Sequence, residues 1–277
     1  MTKTFSHKQP YPLGAHTEGG GVRFSFVSRA ESCGILLYDR RTGSLLEKIP
    51  FADEDRIGDV YCRTVSGIDT KVCTYLFYEG DEEGERLIPD ERGRVIPKRL
   101  PYGKQYTAED RKAGFLTEEY DWEGDAFPRI PYHQVVAYCL HVRGFTKHAS
   151  SNVEHRGTFA GIREKIPYLK EIGITTLELQ PAYEFAEMAV KKDPPEDLVP
   201  SVAHISQGAQ TDQKLNYWGY QRGYYYAPKS AYAWDEDAVG EFKDLVKALH
   251  ARKMELVMQF YFPGEVQVAG IPELLRF

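Results

Sequence analysis

The chain has 277 residues, 42% of them apolar, and a formal net charge of −6. That length accommodates two domains with ordinary cores, and an acidic balance without a basic run excludes nucleic acid as the main partner. No stretch reaches the ~20 apolar residues that cross a bilayer, and MTKTFSHKQPYPLG has no apolar secretory h-region, so a cytoplasmic protein without membrane partners is expected.

Residues 1–100 read as all-β. Val22, Phe24 and Phe26 alternate with Arg23 and Ser25, the pattern of a strand with one solvated face. Residues 33–38 and 45–49 flank Arg40-Arg41-Thr42-Gly43, a hairpin turn. A second hairpin is expected between 60–65 and 72–78, around Ser66-Gly67. Strands recurring at this short spacing, between Gly- and Asp-rich turns, point to an immunoglobulin-like β-sandwich. The four cysteines (Cys33, Cys62, Cys73 and Cys139) lack C-x-x-C spacing. Cys62 and Cys73 can face each other across the second hairpin, but without a secretory signal free buried thiols are expected. The acidic runs Asp53-Glu54-Asp55 and Asp81-Glu82-Glu83 lack EF-hand ligand spacing and read as solvated turns.

From 89 to 132 periodicity fades while Pro, Gly and charge accumulate, so 101–132 reads as a segment connecting two domains. Its aromatics (Tyr102, Tyr106, Tyr120, Trp122 and Phe127) predict that it is pinned against a surface.

The second domain, 133–277, opens with strand, helix, strand. Residues 135–142 are a mostly apolar run, as in a strand covered on both faces. Thr158 caps a helix whose Ile162, Ile166, Leu169 and Ile172 recur at helical spacing, and Gly173 stops it. Residues 174–179 form the next strand, which makes a βαβ unit with parallel neighbours and a right-handed crossover. From 186 to 234 comes an irregular stretch holding Pro194, Pro195, Pro200 and an aromatic cluster; connections that long are usually functional. A helix follows over 235–253, with Phe242, Leu245, Val246 and Leu249 in one stripe and His250, Arg252 and Lys253 in its last turn. Residues 255–262 read as a third strand, before an apolar tail, IPELLRF. Three parallel strands fit an open doubly wound sheet, a small α/β domain complete in itself, or the first part of a (β/α)8 barrel. No Gly-x-Gly-x-x-Gly follows the first strand, against a dinucleotide site, and no cofactor is expected.

The runs LHVRGFTKHASSNVEHRGTFAGIREKIPYLKEIGITTLELQPAYEF, NYWGYQRGYYYAPKSAYA and EFKDLVKALHARKMELVMQFYFP resemble, in order, the start of the catalytic barrel of the α-amylase family, glycoside hydrolase family 13. The branch resembled is that of isoamylase, type I pullulanase and glycogen debranching enzymes. YPLGAHTEGGGVRFSFVSRAESCGILLYD resembles the family-48 carbohydrate-binding module that precedes the barrel there. The resemblance implies an incomplete (β/α)8 barrel behind a sandwich, and a retaining enzyme whose partner is an α-glucan of starch or glycogen type. Such chemistry needs a carboxylate nucleophile and a carboxyl acid ~5 Å apart. In the family these, with a third carboxylate, sit on strands four, five and seven, so no catalytic residue is expected in this chain. The family signature Asp-x-x-x-Asn-His falls here on Gln259, Pro263 and Gly264. Gln carries no charge and Gly cannot hydrogen-bond a hydroxyl as His does, which favours a second reading, a degenerate glucan-binding or scaffold protein.

In the family the tyrosine of the Trp-Gly-Tyr segment stacks on the sugar, its flat face covering the C–H face of a pyranose. The resemblance therefore implies Tyr220, with Trp218 and Asn216, as substrate-binding residues; the other reading is that Tyr217, Trp218, Tyr224, Tyr225 and Tyr226 pack the loop. Glu178 and Glu184 are expected to be structural, through a buried hydrogen bond or a salt bridge with Arg143. His141 and Arg143 are expected to order the barrel wall. His148 and His155 are expected to cap or to be solvated, with no metal. The sandwich contains no Trp and reads as a docking module.

Overall fold

A computed structural model describes residues 5–6, 10–82, 84–116, 120–190 and 213–262. The chain begins with β1 (Phe5–Ser6), β2 (Gly14–Glu18), β3 (Gly21–Val27), β4 (Ser32–Asp39), β5 (Leu45–Pro50), β6 (Arg56–Ile57), β7 (Val60–Ser66), β8 (Cys73–Asp81) and β9 (Gly84–Ile88). One antiparallel sheet runs β1-β7-β3-β2 with β6 on β7, and a second runs β5-β4-β8-β9. Their inner faces share one core, in which Val22, Phe24 and Val65 meet Ile35, Leu37, Tyr75 and Phe77. Phe24 is fully buried, edge-on to Tyr75 at 5.3 Å and to Phe115 at 6.1 Å. Burial of a ring of that size contributes ~1.5–3 kcal/mol.

The hairpin between β4 and β5 forms as its turn residues predict. The second expected hairpin does not. β7 pairs with β3, and β8 pairs with β4 across the sandwich, so the link through Gly67 joins the two sheets. Both strands carry apolar inner residues, and burial on opposite layers outweighs pairing with the sequence neighbour. Cys62 and Cys73 consequently lie in different sheets; all four cysteines are free, and Cys139, expected to be buried, is exposed. The expected solvated face of β3 is also covered: Arg23 and Ser25 are buried because both donate to backbone oxygens of the strap before β2, Arg23 Nη1 to Pro12 O at 3.1 Å and Ser25 Oγ to Pro10 O. Asp55, read as part of a solvated turn, is instead buried against Arg63, 2.5 Å away.

The segment after β9 closes the sandwich and then grips the second unit. Ala113 exchanges backbone hydrogen bonds with Tyr75, and Phe115 enters the sandwich core. Tyr102 stacks on Tyr232 at 6.1 Å, Tyr120 donates to Asp244, and Ile130 N donates to Glu255 Oε1 at 2.8 Å.

The second unit continues with β10 (Ala137–Leu140), α1 (Val142–Lys147), α2 (Phe159–Glu164), α3 (Ile166–Glu171) and β11 (Thr176–Leu179). Then come β12 (Tyr183–Phe185), β13 (Met188–Val190), β14 (Gln213–Leu215), β15 (Gly223–Pro228), α4 (Ala238–Ala251) and β16 (Glu255–Met258). β10, β11 and β16 form a parallel sheet in that order, with Cys139, Glu178 and Val257 in one register row. The helices bury Phe159, Ile162, Leu169, Leu245 and Leu249 against Leu177 and Leu179.

Local chemistry explains the departures from the expected bounds. Thr158 Oγ1 caps α2 by accepting from Gly161 N at 3.1 Å, and Gly173 ends α3 at φ +83°. Between them the helix breaks at Lys165, because Pro167 has no N–H to continue the ladder. The first strand stops at Leu140, since His141 Nδ1 accepts from Gly144 N at 2.9 Å and starts a helix there. The third stops at Met258, and the Phe260 ring turns to stack on Tyr183 at 5.5 Å. Asp237 caps α4, whose Phe242, Leu245 and Leu249 face the core as the stripe predicts, while Val246 is only half-buried and stands outside that cluster. The stretch expected to be irregular contains β13, β14 and β15; β13 pairs with β14, and β15 pairs back with β12 just before the stretch, both antiparallel. Pro194, Pro195, Pro200, Pro263, Gly264 and the apolar tail lie outside the described residues. No helix among the described residues is long and apolar enough to cross a membrane.

Candidate functional site

The C-terminal ends of the three parallel strands release the chain at His141, Gln180 and Gln259. The loop 216–221, between β14 and β15, lies over those ends. Its own residues close it. Asn216 N donates to Glu187 O at 2.6 Å, and Asn216 Oδ1 accepts from Gly219 N at 3.1 Å. Gly219 takes φ +79°, a left-handed conformation that suits glycine. From below, the buried Tyr183 hydroxyl lies 2.7 Å from Gln221 O and 3.2 Å from Gly219 O.

His141 fastens the loop to the first strand. Because Nδ1 accepts from Gly144 N, Nε2 carries the hydrogen; it donates to Tyr217 O at 2.8 Å, with the Tyr232 hydroxyl 3.0 Å away. The ring stacks on Tyr217 at 4.3 Å. Burial, then the charges of Arg143 and Lys229, hold His141 below the ordinary value of 6.5, so it is neutral at physiological pH. The unfolded chain takes up that proton more readily than the folded one. The contribution of His141 to stability is therefore complete above pH 6.5 and is lost as pH falls below it. Urea midpoints should decline more steeply between about pH 7 and pH 5 in the wild type than in His141→Gln. Parallel declines would contradict the buried neutral ring.

With the loop so held, Trp218 and Tyr220 project outward, 53% and 43% exposed. Trp218 stands edge-on to Tyr217 at 5.1 Å, while the Tyr220 hydroxyl donates to Gln259 Oε1. Gln259 Nε2 donates to Glu178 Oε1 at 2.8 Å and lies 3.5 Å from Cys139 Sγ. All three strand ends therefore meet at the Gln259 amide, which also receives the Tyr220 hydroxyl. Burial, and the nearby Cys139 and Glu178, push the Tyr220 hydroxyl above its ordinary range.

Glu184 takes the buried hydrogen bonds expected of it, and its ion-pair partner is Lys229 where Arg143 was the expected one. Its carboxylate meets Lys229 Nζ at 3.1 Å and accepts from Ser230 N and Oγ at 2.8 and 2.7 Å, while Arg143 lies over the Tyr102 ring at 4.5 Å. The same Lys229, fully buried, also pairs with Glu187. Sequence reading missed Lys229 and Glu187; the available signal was one lysine isolated within APKSAYA. His148 accepts from Ser150 N at 3.2 Å, and His155 bonds Glu164 at 2.8 Å. Among the described residues no group of three or more His, Cys, Asp or Glu could hold a metal ion. A cavity of about 680 Å³ opens between the β4–β5 turn, the start of β8 and the connecting segment, lined by charges of both signs, among them Arg40, Lys71, Glu109 and Glu236. Its lining holds no aromatic ring, unlike the 216–221 loop.

No protein-family model matches the chain. It is 32% identical to "Isoamylase 1, chloroplastic" from Arabidopsis thaliana over 90% of this chain and 33% of that protein. It is 29% identical to a "Glycogen debranching enzyme" from Dickeya chrysanthemi over 97% of this chain and 41% of that protein. Among solved structures, a pullulanase from Paenibacillus barengoltzii, in complex with maltohexaose and alpha-cyclodextrin, superposes with a TM-score of 0.69 at 21% identity over 91% of this chain and 38% of that one. The chain thus spans well under half the length of the proteins it matches.

Proposed function

We propose that this chain, which belongs to the isoamylase, pullulanase and glycogen-debranching branch of the α-amylase family, is the N-terminal portion of an α-glucan debranching-type glycoside hydrolase. On this reading 1–100 is an immunoglobulin-like module of carbohydrate-binding type, with 101–132 as connector. Residues 133–277 supply the first strands and helices of a (β/α)8 catalytic-type barrel. The protein is cytoplasmic, and it takes starch- or glycogen-like glucans.

One observation carries the reading: two exposed aromatic rings, Trp218 and Tyr220, sit in a tightly fastened loop over the C-terminal ends of parallel strands. That end is where barrel enzymes build their sites. The Tyr220 face offers the apolar surface on which a pyranose stacks, with Trp218 beside it. Asn216, whose Oδ1 is engaged by Gly219 N, has its amide nitrogen to offer a sugar hydroxyl. The pullulanase structure with maltohexaose supports the choice of ligand class. The retaining reaction needs paired carboxylates, and no residue of this chain is assigned to them.

Gln259 favours a second reading, a glucan-binding or scaffold protein without efficient cleavage, because a neutral amide stands where the family signature has Asp. Both readings predict sugar binding. Titration calorimetry with maltohexaose should show Tyr220→Ala binding about tenfold more weakly than wild type, roughly 1.4 kcal/mol. Equal affinities would remove the site.

A further inference from the structure

We propose that Gln259 is a positioning residue for Tyr220: its neutral amide ties the tyrosine hydroxyl, on the 216–221 loop, to Glu178 on β11, and so fixes the ring on which a glucan stacks. The inference deepens the reading of Tyr220 as a sugar platform and rests on it.

The contacts already described hold the loop's backbone; the bond to Gln259 holds the tip of a ring that is 43% exposed. Gln259 is itself anchored, since its N–H donates to Leu179 O at 2.8 Å, one residue past the last ladder pair of β16. The orientation of its amide follows from its partners. An ionised carboxylate only accepts, so Glu178 must take the N–H, and the carbonyl end is left to receive the tyrosine hydroxyl. One side chain with a donor at one corner and an acceptor at the other completes both bonds.

Neutrality is what the position requires. The titratable groups facing Gln259 are Cys139 from β10, Glu178 from β11 and Tyr220 from the loop, with the neutral Gln180 beside them. Burial pushes both the Cys139 thiol and the Tyr220 phenol above their ordinary ranges, so neither ionises near neutrality. A carboxylate at 259 would face Glu178 at hydrogen-bond distance. Two such groups ionise together only at a large cost, and below that point they share a proton. The amide itself does not titrate, so it keeps the bridge around neutrality, where the Tyr220 phenol holds its proton. The departure from the family signature at this position thereby acquires a role: a non-titrating clamp on the aromatic platform.

The test uses the full chain, maltohexaose as probe, and Gln259→Leu and Gln259→Glu variants. If the unclamped ring holds the stacking pose a tenth of the time, Gln259→Leu weakens binding about tenfold at every pH. A protonated Glu reproduces the donor and acceptor corners of Gln. Gln259→Glu should therefore match wild type near pH 5 and weaken by about pH 8, where the second ionised carboxylate loses its donor to Glu178 and is repelled from it, taking the acceptor of the Tyr220 hydroxyl with it, while wild type stays flat. Recovery at low pH also shows that the variant folds. Wild-type affinity in Gln259→Leu, or a pH-independent Gln259→Glu, overturns the proposal. If Tyr220→Ala binds as wild type does, the sugar reading fails separately. The clamp is then decided by the fluorine resonance of a fluorotyrosine at position 220. It should shift in Gln259→Leu and titrate in Gln259→Glu; an unmoved resonance overturns the clamp.

Discussion

Replacing Lys229 by methionine should cost about 3–5 kcal/mol of folding stability, read as a fall in the urea midpoint. The lysine is fully buried, its Nζ 3.1 Å from Glu184 Oε1 and 2.9 Å from Phe185 O, and paired as well with Glu187. The remaining carboxylate oxygens are already committed. Glu184 Oε2 accepts from Ser230 N at 2.8 Å, and Glu187 Oε2 accepts from Gly103 N at 3.1 Å. Methionine fills most of the lysine's volume, so the loss arises from two carboxylates left in the interior without their cation. The variant Lys229→Met/Glu184→Gln/Glu187→Gln should recover a large part of it, because buried neutral amides that keep hydrogen bonds cost far less than unpaired charges. A loss below about 1 kcal/mol in the single variant would mean that the triad reaches solvent. Maltohexaose binding should weaken in parallel, since Glu187 O holds Asn216 N at 2.6 Å and Gly103 ties the connecting segment to the same carboxylate.

This triad marks the limit of what the sequence makes legible. The hairpin of β4 and β5 could be read because its turn, its alternation and its pairing are all local. So could the cap at Thr158, the stop at Gly173 and the core stripe of α4, each a rule over a few neighbouring residues. The crossing of β7 and β8 to opposite sheets could not, because two strands with the same apolar alternation pair equally well on paper. The covered face of β3 escaped notice for a related reason: what buries Arg23 is a strap without periodicity of its own. At the candidate site, only a resemblance of motif singles out Trp218 and Tyr220; no period or spacing does, and the structure adds that both rings are exposed. Lys229 and Glu184 lie 45 residues apart, and no period, spacing or composition links two charges that meet only after the chain has folded.

Gly219→Ala should remove a further 2–5 kcal/mol or so of stability and weaken maltohexaose binding by at least about tenfold, by a different route. Gly219 sits at φ +79°, where any side chain costs about 1–2 kcal/mol. An added Cβ would also meet Phe185 Cε1 at 2.4 Å and Cζ at 2.7 Å, far inside van der Waals contact. Phe185 cannot retreat, because its ring is 1% exposed and lies under the Lys229 ammonium at 4.1 Å. The loop must therefore lift, breaking the contact of Gly219 N with Asn216 and carrying Trp218 and Tyr220 away from the strand ends. Gly67→Ala isolates the two contributions. Gly67 has nearly the same φ, +74°, with nothing within 4 Å of the added carbon, so that substitution carries the backbone strain alone. The excess destabilisation of Gly219→Ala over Gly67→Ala measures the clash with Phe185, about 1–3 kcal/mol. Equal losses would show that Phe185 yields and that the loop's pose does not depend on its close approach to that ring.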